Sequence, residues 1–135
     1  MSRSPRRILI GYDDSDCARR ALRLAASLAK DGTKVTLASV AEVISLGLPD
    51  PFAAEEQKRL LAEGSELLAA RGIPSDSIRP LDADAAEGLV RAAKKVGADL
   101  LVVGTHSRGP LARLALGSVA GAVVYRAPCS VLVVP

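Results

Sequence analysis

The stretch GTHSRGPLARLALGS, residues 104 to 118, carries residue types that hold phosphate: three glycines, a histidine, two arginines and two serines. Gly104 lets the backbone turn and approach a ligand closely. Gly117-Ser118 opens a helix whose unpaired N–H groups and positive dipole end favour an anion, and the Ser118 hydroxyl adds a donor. Arg108 and Arg113 either neutralise phosphate charge or lie as solvated loop arginines. His106 is the only histidine; it faces phosphates, acts as an acid or base, or stands in solvent, and alone it builds no metal site. A second segment, Tyr12-Asp13-Asp14, follows the first apolar run. Asp13 suits ribose hydroxyls or a magnesium ion, or else simply the first turn of a helix, where acids are favoured. The loop matches neither G-x-x-x-x-G-K-[ST] nor G-x-G-x-x-G. Glycines after a strand also occur wherever a loop turns sharply, so composition alone leaves both an anion site and a tight turn open.

These segments need a scaffold, and the chain reads as alternating strands and helices. ILIGY (Ile8 to Tyr12) is a short apolar run, as expected of a buried strand. Asp14 or Ser15 caps the helix that follows, with Ala18, Ala21, Leu22, Ala25, Leu28 and Ala29 on one face. Gly32 suits a left-handed cap at its end. KVTLASVAEV predicts one second strand, and Ile44 to Pro51 a loop broken by Gly47, Pro49 and Pro51. Leu60, Leu61, Gly64, Leu67 and Leu68 mark a second helix ending near Gly72. SIRPLDAD predicts a strand at an edge, because Pro80 lacks a ladder donor. Ala86, Leu89, Val90, Ala93 and Val96 trace a third helix closed by Gly97. DLLVVG reads as a strand covered on both faces, Ser118 to Arg126 as a short helix, and CSVLVVP as the last strand. Five strands separated by helices imply βαβ units, a parallel sheet and a single α/β domain over residues 1–135. In such a sheet ligands bind beyond the carboxyl ends of strands, where the strand order switches direction. With the order 3-2-1-4-5 the two chemical segments flank that point.

Length and composition agree with one domain. The 135 residues are 49% hydrophobic and 24% charged, which is globular rather than disordered. Aromatics are 2%, too few for the stacking platforms of single-strand nucleic-acid binders, so no nucleic acid is expected. The net charge of +3 is mild, and three basic residues fall in the arm Met1 to Arg7; residues 1–6 are expected to be a flexible solvated tail. No run approaches the roughly 18–20 apolar residues of a membrane span, and the run Ile8 to Ile10 is too short for a signal peptide. Cys17 and Cys129 lack metal-ligand spacing and are expected to be buried reduced thiols of a cytoplasmic protein.

From ILIGYDDSDCARRAL through GADLLVVGTHSRG to LGSVAGAVVYRAPCSVLVV, nearly the whole chain resembles the universal stress protein family. The ATP-binding members carry glycine, two residues, glycine, nine residues, then glycine followed by Ser or Thr. Gly104, Thr105 and His106 begin that motif here, Ser107 stands at the second glycine, Arg108 to Leu116 supply the nine, and Gly117-Ser118 complete it. The resemblance implies the five-stranded order 3-2-1-4-5, a ribose contact from Asp13, an adenine contact through the backbone of Val40, and phosphate contacts at Gly117-Ser118. The expected adenine-nucleotide site comprises Asp13, Val40, Gly104, His106, Ser107, Arg108, Gly109, Gly117, Ser118 and Val119, with ATP as ligand, ADP or AMP as alternatives, and magnesium through Asp13. If the second glycine serves a positive φ, Ser107 costs about 1–2 kcal/mol, about a tenfold to thirtyfold change in affinity. If it serves close approach, the side chain blocks phosphate or bonds to it, and Gly109 offers a turn in shifted register.

Three functions follow from these residues. The first is a nucleotide-binding stress or signalling module, the second a dimeric interaction protein of the same fold without nucleotide. The third is an enzyme acting on the γ-phosphate, against which no Walker lysine is present. The resemblance also implies a homodimer through the last strand, Ser130 to Val134, whose apolar edge invites pairing.

Overall fold

The computed structural model describes residues 4–45, 48–82, 84–105 and 116–135. The elements are β1 (Arg7–Gly11), α1 (Asp16–Leu28), β2 (Lys34–Ala38), β3 (Ala41–Ser45), β4 (Leu48–Pro49) and α2 (Pro51–Ala69). Then come β5 (Asp76–Ile78), β6 (Leu81–Asp82), α3 (Ala85–Val96), β7 (Leu100–Gly104), α4 (Ser118–Arg126) and β8 (Ser130–Val134). The main sheet has the order β5-β2-β1-β7-β8, all parallel. This is the expected 3-2-1-4-5 arrangement.

Because side chains alternate across a strand, a run buried on both faces feeds two cores. Ile8 and Ile10 pack with α1 and α2, including Ala21, Leu22, Leu61 and Leu68. Leu9, between them, packs with α3 and α4, including Leu89, Ala93, Ala120 and Val123. Each such side chain taken wholly out of water contributes about 1.5–3 kcal/mol. The small alanines of α1 and α3 let these helices lie close to the sheet in a chain almost without aromatics.

Four sequence expectations are corrected. The stretch read as one second strand is two, because the chain leaves the main ladder at Ser39-Val40. Its second half, β3, belongs to a separate three-stranded sheet of order β4-β3-β6. The expected loop from Ile44 therefore holds the end of β3 and, at Leu48–Pro49, β4, which pairs antiparallel with β3. The third strand is likewise two: β5 lies at the edge of the main sheet, whereas β6 pairs parallel with β3. Pro80 falls between them, its carbonyl accepting from the Ala41 amide at 3.0 Å. Finally, α1 stops at Ala29 in an extended conformation. Gly32, at φ +87°, serves the turn beyond rather than the helix cap. Gly97 does close α3 in the left-handed region, at φ +65°.

Candidate functional site

At the carboxyl ends of β1 and β7, where the sheet order turns outward in opposite directions, a crevice of about 280 Å³ opens. Its walls come from the turn after β1, the residues after β2, the first turn of α3 and the entry to α4. Of the expected site residues it brings together Asp13, Val40, Gly104, Gly117, Ser118 and Val119. His106, Ser107, Arg108 and Gly109 lie outside the described residues, as does Arg113.

The turn after β1 is held by its own side chains. Asp13 accepts from the Ser15 amide at 3.0 Å and from the Ser15 hydroxyl at 2.5 Å through one carboxylate oxygen, Oδ1. Ser15 then caps α1, its hydroxyl accepting from the Ala18 amide at 3.2 Å. Of the two candidate caps it is thus Ser15 that acts, and Asp13 is an exposed carboxylate at the crevice rim rather than part of the helix. Beneath it Tyr12 is buried; burial, and then the nearby Glu63 charge, push its phenol above the usual value, so it stays protonated near neutral pH.

Gly104 lines the crevice as expected, and packing also requires a glycine there. A Cβ there would collide with Cys17 Sγ and come within 3.0 Å of the Ala18 amide nitrogen. Glycine therefore lets the end of β7 pass close under the first turn of α1; the close approach is to the protein itself. Cys17 is buried as expected, whereas Cys129 is only half-buried; neither is in a disulfide among the described residues.

The entry to α4 is the electropositive wall. Gly117 is the N-cap, with no side-chain capping bond. Its amide is committed to the Thr105 carbonyl at 2.7 Å, and the Thr105 amide to the Val134 carbonyl at 2.8 Å. The donors left at this end are the amides of Ser118, Val119 and Ala120, which meet no acceptor among the described residues and line the crevice. Unpaired first-turn amides with the helix dipole behind them attract an anion. Among the described residues lining the crevice none is a lysine or arginine.

The opposite wall offers a base edge. Val40 stands where the chain leaves the main sheet, and its amide and carbonyl have no hydrogen-bond partner among the described residues. Its side chain is seated on α3, where a Cβ on Gly88 would come within 2.8 Å of Val40 Cγ1. The flanking carbonyls are occupied: Gln57 of α2, buried, donates through Nε2 to Ser39 at 2.5 Å and to Pro80 at 3.1 Å. A paired donor and acceptor on one residue, walled by Leu60, Ala85 and Leu89, can read one edge of a flat heterocycle. Sequence reasoning passed over Ser15 as an anchor for Asp13, and Gln57 altogether. The Asp-x-Ser spacing is a signal for the first, whereas a lone glutamine on a helix gives none for the second.

An α/β sheet with its crevice at the switch point is an architecture that binds ligands beyond the carboxyl ends of its strands, and comparison with known proteins gives the family. The model of the universal stress protein family matches residues 5–135, so this chain belongs to that family. It is 36% identical over 132 residues to a universal stress protein of Thermus aquaticus, covering 94% of this chain and 96% of the relative. Among solved structures it resembles a universal stress protein in complex with cAMP, with TM-score 0.77 and 25% identity over 98% of this chain and 99% of that one. It also resembles the universal stress protein of Archaeoglobus fulgidus in complex with dAMP, with TM-score 0.75 and 25% identity over 95% and 96% of the two chains.

Proposed function

We propose that this chain binds an adenine nucleotide in the crevice between β1 and β7 and acts as a stress-response or signalling module whose loop conformation or partners change with the ligand. The observation that carries this reading is the row of unpaired amides at Ser118, Val119 and Ala120, opening onto the crevice that Asp13 and Val40 also line. In this reading the Val40 main chain takes the adenine edge, Asp13 the ribose hydroxyls, and the α4 entry the phosphates. His106, Ser107, Arg108 and Gly109 complete the phosphate side. The crevice volume lies at the lower end of small-molecule sites, about 300–1,000 Å³, which suits a nucleoside with its phosphates extending outward. Relatives of the same fold crystallised with cAMP and dAMP support the choice of base.

ATP is the ligand proposed, with ADP and AMP competing for the same place. With no cationic side chain lining the described crevice, a triphosphate draws its counter-charge from the α4 dipole, the loop arginines and a magnesium ion at Asp13. The chain holds the nucleotide rather than turning it over rapidly. It works in the cytoplasm as a homodimer paired through β8, the exposed edge of the main sheet.

The test is to release the purified protein in acid and assay for adenine nucleotide, then to titrate the stripped protein with ATP, ADP and AMP. Nucleotide in the released fraction and saturable binding below millimolar concentration are expected. Absence of binding at millimolar ATP, unrepaired by Ser107→Gly, would leave the dimeric interaction protein. Phosphate release at ordinary enzyme rates, abolished by substitution of Asp13 or His106, would instead make it an enzyme.

A further inference from the structure

Asp14 is the one non-glycine residue among those described with a positive φ, +58°. Side chains disfavour this left-handed region, and aspartate enters it more readily than most because its short carboxylate bonds locally. Here the carboxylate is also held from a distance. Asp14 is 8% exposed, and its Oδ2 accepts from Arg59 Nη2 of α2 at 2.9 Å. Arg59 is itself steadied on its own helix by Glu56, one turn before, and by Glu63 at 3.8 Å, one turn after. The guanidinium thus reaches the turn already oriented.

The position of Asp14 gives this pair its meaning. It lies between Asp13, at the crevice rim, and Ser15, whose amide and hydroxyl both donate to Asp13. In this turn both bonds are made across Asp14 in its left-handed conformation. We propose that Arg59 is a positioning residue for the nucleotide site: it holds Asp14 left-handed and so fixes Asp13 toward the crevice. The inference rests on the nucleotide reading above and adds α2 to the site. The same helix holds the base side of the crevice through Gln57, bonded to Ser39 and Pro80. One helix therefore braces the ribose side and the base side together, and its docking on the sheet and nucleotide binding favour each other.

The experiment is a double-mutant cycle of Arg59→Ala and Asp14→Gly with two readouts: AMP affinity by calorimetry, and hydrogen exchange of the Ser15 amide without ligand. In the Asp14 background Arg59→Ala weakens AMP about tenfold and speeds Ser15 exchange by a similar factor, and Arg59→Lys recovers part of both. In the Asp14→Gly background the same Arg59→Ala change moves affinity less than about twofold, because glycine takes a positive φ unaided. An equal loss in both backgrounds would overturn the proposal and reduce Arg59 to a surface brace for α2, as would no change in either readout on Arg59→Ala. Should Arg59→Ala fail to fold, Arg59→Gln replaces it in the same cycle. If the unaltered protein binds no AMP, the nucleotide reading fails, and the exchange cycle alone then decides whether Arg59 sets the turn.

Discussion

The two turns that flank the crevice are built on opposite plans. After β1, the chain turns through Asp13, Asp14 and Ser15 with a side chain bonded at every step: Asp13 to the Ser15 amide, Ser15 to the Ala18 amide, and Asp14 to the Arg59 guanidinium. Before α4, a glycine takes the cap position and, among the described residues, no side chain caps it and three first-turn amides are left open. The difference teaches where ligand binding energy can come from. The first turn is already satisfied and can only present a fixed carboxylate. The second keeps donors that are unpaired among the described residues and can take an acceptor from a ligand.

Breaking the close approach between the end of β7 and the first turn of α1 has the largest expected effect. Gly104→Ala drives a Cβ into Cys17 Sγ and toward the Ala18 amide. We expect a loss of about 1–3 kcal/mol in denaturant unfolding, with partial recovery when Cys17→Ala is added. Recovery that is complete would assign the whole clash to sulfur and none to the α1 backbone.

The next effect separates binding from stability. Gly88→Ala places a methyl against the Val40 side chain, so Val40 must shift toward the crevice. Replacing a helical glycine contributes about 1 kcal/mol toward stability, which offsets much of the crowding. Unfolding stability is therefore expected within about 1 kcal/mol of the unaltered protein, while adenine-nucleotide affinity falls about tenfold. Equal affinity with lower stability would mean that Val40 does not shape the base side.

Removing the local cap sharpens the contrast between the turns. Ser15→Ala deletes the bond to Ala18 and one of the two donors to Asp13. A loss of about 1 kcal/mol in thermal or denaturant unfolding is expected. Substituting the α4 cap, Gly117→Ser, is expected to change stability in the opposite direction, because the new hydroxyl can satisfy an amide now left open.

The smallest effect lies far from the site and depends on pH. Asp99 is partly desolvated, which raises its pKa, but main-chain bonds from Arg6 at 2.9 Å and Arg7 at 3.0 Å outweigh this and lower it below the usual value. A depressed carboxylate contributes stability above its unfolded pKa, near 4, and loses it as pH falls through the folded value. Asp99→Asn should thus cost less than about 1 kcal/mol at neutral pH for so exposed a group, and nothing once pH is below the folded value. A difference that persists in acid would assign the effect to packing.

How much of this was legible in sequence differs between regions for a physical reason. β1, β7 and β8 are continuous apolar runs, and the apolar faces of α1 and α3 recur at helical spacing, so local pattern sufficed for them and for the parallel order. The splitting of the second and third strands was not legible. Ser39-Val40 look like ordinary strand residues and Pro80 signals only an edge position, and what takes them out of the main ladder is the β3–β6 pairing and the Gln57 clasp, both long-range. Gly104 and Gly117 do line the crevice, but the contacts they make with Cys17 and Thr105 left no sign in the sequence. A glycine's chemical partner cannot be read from the glycine. The left-handed turn at Asp14 was hidden for the same reason, since its partner, Arg59, lies on α2.

A phosphate received by the open amides at the start of α4 would be seen at those amides themselves. The most direct measurement follows the amide nitrogen and proton resonances of Val40, Ser118, Val119 and Ala120 during titrations with AMP and with adenosine. Val40 is expected to move with both ligands, while Ser118, Val119 and Ala120 move strongly only with AMP. Saturable AMP binding that leaves those three amides where adenosine leaves them would contradict phosphate binding there.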